Sequence, residues 1–207
     1  MSLVLWVLGF AAAGAGIRFY IFKQREIYIS KYIFPVFLTQ KLQQQYPQLT
    51  REQLDLVIRG LRQYFLMCCK AEKKLVAMPS QVVDDLWHQF ILHTRAYQVF
   101  CRKGLGRFLH HTPAEAMTSK QDAPDSIKRA WRLACKIDGI DPKKPERLPL
   151  IFALDAMLAI PNGFNYALDC THSRKGEHCA SHIGCGGGCS GSSGCSGDSG
   201  GCGGGGD

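Results

Sequence analysis

No charged residue occurs before Arg18, and nothing but Gly, Ser, Cys and Asp occurs after Ile183. The first absence removes the basic flank that a cleaved secretory signal needs. The second removes the apolar side chains that a packed core needs. Between the two ends, no stretch alternates polar and apolar residues for long enough to read as a strand. No phosphate-cradling glycine loop and no long-range repeat is present, so no nucleotide cofactor is expected. The HExxH and CxxC spacings are missing as well. Acidic residues are few, 17 against 25 Lys and Arg, for a formal charge of +8. Residues 170–207 carry Arg174 and Lys175 against Glu177, Asp198 and Asp207, so the positive excess lies in residues 1–169. That surface has no stacking motif or nucleic-acid module, and nucleic acid is not an expected partner.

The apolar start, Leu3 to Phe22, reads LVLWVLGFAAAGAGIRFYIF. Twenty helical residues at about 1.5 Å each reach across a hydrocarbon layer of roughly 30 Å. Arg18 lies near one end, where its long side chain can reach headgroups, and Lys23, Arg25 and Lys31 follow. This pattern predicts a single transmembrane anchor over residues 1–23. The membrane is then a partner, with the N-terminus outside and the body in the cytoplasm.

Residues 24–169 read as a compact all-α domain. Val36 to Tyr46 forms a short helix closed by Pro47. Thr50 and Gln53 make a capping box ahead of the stripe Leu54, Val57, Ile58, Leu61 and Phe65. Pro79-Ser80 opens a central helix running to about Cys101, which Gly104 and Gly106 end. Thr112 to Glu115 is a second capping box. Asp125 or Ser126 caps a helix carrying Trp131 and Cys135 and stopped by Gly139, and Leu150 to Ala159 forms the last helix.

The central helix holds the chemistry. Asp84 and His88 are four apart and share a face, and Asp85 is three from His88. Either carboxylate can hold His88. His93, Tyr97 and Cys101 form a separate line of successive i,i+4 steps. His88 and His93 are five apart and cannot ligate one metal from a regular helix. The glycine-containing link returns His110 and His111 towards the line of His93 and Cys101. A site centred on His93, Cys101 and His110 or His111 would offer three nitrogen or sulfur ligands, supported by Asp84, Asp85, His88 and Tyr97. The same residues also fit a plain core helix with polar trim.

The block DDLWHQFILHTRAYQVFC followed by GRFLHHTP resembles the conserved segment of the glycine-rich domain-containing proteins. The matching positions are Asp84, Trp87, His88, His93, Tyr97, Cys101, His111 and Pro113. The similarity covers about Pro79 to Glu115, and the glycine-rich end is consistent with it. The resemblance implies that the block acts as a unit; it implies no reaction.

Residues 170–207 form a low-complexity tail expected to be disordered unless cross-linked or metallated. Cys170, His172, His178, Cys179, His182, Cys185 and Cys189 are soft or borderline ligands suited to zinc or copper. The chain is therefore expected to bind or handle zinc or copper at a membrane. The alternatives are a metal- or thiolate-dependent enzyme, and a scaffold whose tail recruits a protein partner.

Overall fold

The computed structural model describes residues 2–111 and 122–168, together with His178, Cys179 and Ile183. Among them the chain is all-α, with seven helices: α1 (Ser2–Lys31), α2 (Val36–Gln45), α3 (Arg51–Lys70), α4 (Gln81–Leu92), α5 (Thr94–Phe100), α6 (Asp122–Asp138) and α7 (Leu150–Met157). A π-helical turn, Cys101–Leu105, extends α5. Two short strands, β1 (Tyr166–Ala167) and β2 (His178–Cys179), pair in parallel.

Helix α3 is the central element. It starts where the capping box predicts: the Thr50 hydroxyl accepts from the Gln53 N–H, and the Gln53 side chain accepts from the Thr50 N–H. Its apolar stripe is buried, with Val57, Leu61, Phe65 and Met67 fully covered. Helices α1, α4, α6 and α7 all pack on it. At Gly60 the approach of α4 and α7 leaves no room for a side chain. A Cβ there would lie 2.4 Å from Leu154 Cδ1 and 2.9 Å from Val83 Cγ2. Overpacking of this kind costs about 1–3 kcal/mol, against a helix-propensity gain of about 0.5–1 kcal/mol for alanine. Gly60→Ala should therefore lower the melting temperature. A rise would show that the two side-chain tips yield freely.

The structure corrects the membrane assignment. Among the described residues, no helix is long and apolar enough to cross a membrane. The apolar start is diluted by Gly9, Gly14, Gly16 and a run of alanines and is interrupted by Arg18. It does not end as a separate anchor but continues as one helix to Lys31. The last turns of that helix belong to the domain. Ile29 is fully buried, Glu26 pairs with Lys70, and Arg62 donates to the carbonyls of Ile29, Ser30 and Tyr32. The single-pass anchor and the N-out topology built on it are set aside.

The central helix is also not continuous. It breaks at His93 (φ −86°, ψ 62°), and α5 folds back on α4. In a straight helix, residues ten apart are separated by about 15 Å of rise. Here the Phe90 and Phe100 rings, ten apart in sequence, have centroids 5.5 Å apart. Phe100 also packs on Phe65 and Tyr32, at 4.6 and 4.7 Å. The bend gathers these aromatics into one cluster.

Candidate metal centre

Helix α4 presents the first two groups of the site. The Ser80 hydroxyl caps it by accepting from the Val83 N–H. Asp84 then falls in the first turn, where the positive end of the helix dipole favours a carboxylate. His88 is one turn on and meets it: His88 Nδ1 lies 3.5 Å from Asp84 Oδ2 and 2.9 Å from the Asp84 carbonyl oxygen.

The third group comes from beyond α5. Gly106 takes a left-handed conformation (φ +69°) and turns the chain back after the π-helical turn. A buried relay then fixes the returning strand of chain. Trp87 Nε1 donates to the Tyr97 hydroxyl at 3.1 Å, and that hydroxyl donates to the Leu109 carbonyl at 2.6 Å. Trp87 and Tyr97, again ten apart, can meet only because the helix bends at His93. Two residues past Leu109, His111 arrives with its ring 4.9 Å from Trp87 and 4.2 Å from His88. Its Nε2 is 3.3 Å from Asp84 Oδ1.

One potential ligand atom from each of Asp84, His88 and His111 lies within 4.8 Å of the others. Asp84 and His111 are mostly shielded, with side chains 21% and 24% exposed, while His88 is 45% exposed. Burial raises the Asp84 carboxyl above its ordinary value, and the two imidazoles act against that rise. Asp84 and His111 also line a cavity of about 480 Å³.

The remaining sequence-selected residues lie elsewhere. His93 is exposed at the helix break, its ring against Phe37. Cys101 is buried, and its thiol is raised chiefly by that burial. His111 joins Asp84 and His88 rather than His93 and Cys101. His110 is exposed and lines the cavity, its ring 4.8 Å from Phe108. Asp85 does not hold His88. It accepts from Gln45 and Gln81 side chains at 2.7 and 3.0 Å and from the Tyr46 hydroxyl, tying α2 to α4. Tyr97 serves the relay to Leu109. His178 and Cys179 form β2, with the His178 ring 5.5 Å from Tyr166. Cys170, His172, His182, Cys185, Cys189 and the capping box at Thr112 to Glu115 lie outside the described residues.

Sequence reasoning ranked Asp84 and His88 as support rather than as ligands. Their i,i+4 spacing was the available signal, since it puts both groups on one helix face. Lys73, Lys74 and Arg107, which line the cavity, gave no signal of their own.

The whole block, from the Ser80 cap to His111, lies inside a longer matched segment: residues 24–186 fit the model of the UCP032817-like family. The chain belongs to that family. No curated protein and no solved structure matches the chain. The resemblance to glycine-rich domain-containing proteins is thereby corrected, since the match is to the UCP032817-like family and no glycine-rich domain family is shown. The short motif alone was too sparse to separate the two. The UCP032817-like segment begins at Gln24, close to where α1 starts to bury side chains, and it leaves the glycine-richest residues, 187–207, outside.

Proposed function

We propose that this protein binds a divalent metal ion, zinc above others, through Asp84, His88 and His111. The observation that carries the reading is the meeting of His111 with the Asp84–His88 pair from a separate segment of chain. Tetrahedral zinc with bonds of about 2.0–2.1 Å separates its ligand atoms by roughly 3.3 Å. His111 Nε2 and Asp84 Oδ1 are 3.3 Å apart. His88 Nδ1, 3.5 Å from Asp84 Oδ2 and 2.9 Å from the Asp84 carbonyl oxygen, keeps the imidazole beside that carboxylate, where it would complete the ligand set.

Two imidazoles and one carboxylate suit zinc and other borderline ions better than copper(I), which favours thiolates. Among the described residues, the cluster of Asp84, His88 and His111 includes no thiol. Three protein ligands also leave a coordination position open, the arrangement of catalytic rather than structural zinc. This favours a metal-dependent enzyme acting in the adjoining cavity. A thiolate nucleophile has less support: burial pushes Cys68 up to about 12 and Cys135 up to about 11.

The test is zinc retention by the full chain with its six tail cysteines changed to serine, measured by elemental analysis after dialysis. One ion per chain is expected at pH 7.5, with markedly weaker retention at pH 5.5, because the ligands must give up their protons. Without metal, the raised Asp84 carboxyl reverses the sign for stability. The folded state holds its proton more tightly than the unfolded state does. Its contribution is present at low pH and lost as pH rises through the raised folded value. Zinc should therefore stabilise the domain more at pH 7.5 than at pH 5.5. A chain that retains no zinc at either pH overturns the reading.

A further inference from the structure

The cavity beside Asp84 and His111 has a second polar side. Lys73, Lys74 and Arg107 line it, and Asp84 is the one carboxylate among its described lining residues. None of the three cations is paired with a carboxylate among the described residues; nearby Glu72 pairs with Arg18 instead. Arg107 is held in place, since its Nε donates to the Glu72 carbonyl at 2.9 Å. Among the described residues its terminal nitrogens make no hydrogen bond. Two exposed lysines alone would be an ordinary solvated surface. A fixed guanidinium facing the same concavity makes a focused positive field.

The rest of the wall is largely apolar, with Val76, Met78, Trp87, Leu109 and Phe164. A concavity of about 480 Å³ falls in the range that takes a small organic molecule. Such a wall rewards an apolar body, and the three cations reward an acid group.

We infer that the cavity binds a small organic anion, a carboxylate or phosphate on an apolar body, with its acid group at Lys73, Lys74 and Arg107. Bound there, the molecule lies beside the metal ligands Asp84 and His111. The inference rests on the metal reading above and names the class of substrate for that centre. The phosphate and carboxylate forms share the chemistry that recognises them, a compact anion taking charge-assisted hydrogen bonds.

The experiment is calorimetric titration of the zinc-loaded full chain, tail cysteines again as serine, with phenylacetate, phenyl phosphate and neutral 2-phenylethanol. At least one of the two anions should bind about tenfold or more tightly than the alcohol. Its affinity should fall as salt is raised. The stronger of the two identifies the acid group. Lys73→Gln with Lys74→Gln, both at exposed positions, should weaken that anion by about tenfold while zinc stoichiometry stays unchanged. Arg107→Gln should do the same, and the lysine pair decides the matter if that variant unfolds. Zinc uptake with no preference for either anion, or with affinity unmoved in the lysine double variant, overturns this inference alone. Failure to take up zinc overturns the metal reading and this inference with it.

Discussion

Asp155→Ala should destabilise the domain by about 3–5 kcal/mol, as several buried donors lose a charged acceptor at once. Asp155 is 2% exposed, yet nothing about it is unsatisfied. Its Oδ1 accepts from the Ser80 hydroxyl at 2.7 Å and from the Val82 N–H at 3.3 Å. Its Oδ2 accepts from the N–H groups of Gln81 and Phe164 at 2.7 and 2.8 Å. The carboxylate thus satisfies two free donors at the start of α4, where the helix dipole also favours a negative charge. It joins that helix to α7 and to the segment leading into β1. Alanine would strand these donors in a site that water does not reach. Asp155→Asn should fall between, since its amide nitrogen cannot accept. Urea unfolding of the three proteins measures the difference. A loss below about 1 kcal/mol, a single ordinary hydrogen bond, would show that water enters and replaces the carboxylate.

His111→Ala should lower zinc affinity by at least about 100-fold. Loss of an outer partner of a metal site already costs about 10- to 100-fold, and His111 is read as a direct ligand. Asp84→Asn should do as much, because it replaces an anionic ligand by a neutral one of nearly the same shape. His93→Ala is the matched control. It removes an imidazole from the same block, but an exposed one set against Phe37, and zinc affinity should not change. Competition with a chromophoric chelator reads all three. If His111→Ala lowers the melting temperature of the metal-free chain but leaves zinc affinity intact, Asp84 and His111 are only a polar clasp holding the returning loop.

The identity of the helices was legible because it depends on neighbours close in sequence. The Thr50–Gln53 capping box and its apolar stripe forecast α3, and Pro47 and Pro149 lie close to the ends of α2 and α7. Asp84 and His88 could be placed on one face by spacing alone. The shared role of Asp84 and Asp85 could not be divided that way. Adjacent residues point about 100° apart on a helix, and which carboxylate met the histidines depended on where α2 lay. Tyr46 and Gln45 arrive from α2 and take Asp85. Asp84 is left to His88 and His111.

The N-terminal stretch shows the opposite limit. Its mean character suggested an anchor, because hydropathy and length are local quantities. The continuation of the same helix into the domain, through Glu26, Ile29 and the carbonyls held by Arg62, is a set of long-range contacts.

By itself, the sequence determined an all-α body and the starts of α3 and α4 through periodicity and capping, the low-complexity tail through composition, and the placing of Asp84, Asp85 and His88 within one turn of a helix. Tertiary structure alone decided the break at His93, which no Pro or Gly marks. The break is set by packing. Phe100 and Tyr97 gain burial against Phe65, Phe90 and Trp87 only if α5 folds back. That fold carries Leu109 to the Tyr97 hydroxyl and so brings His111 to Asp84. The candidate centre depends on contacts spanning up to 27 residues, and periodicity along one helix contains no information about them.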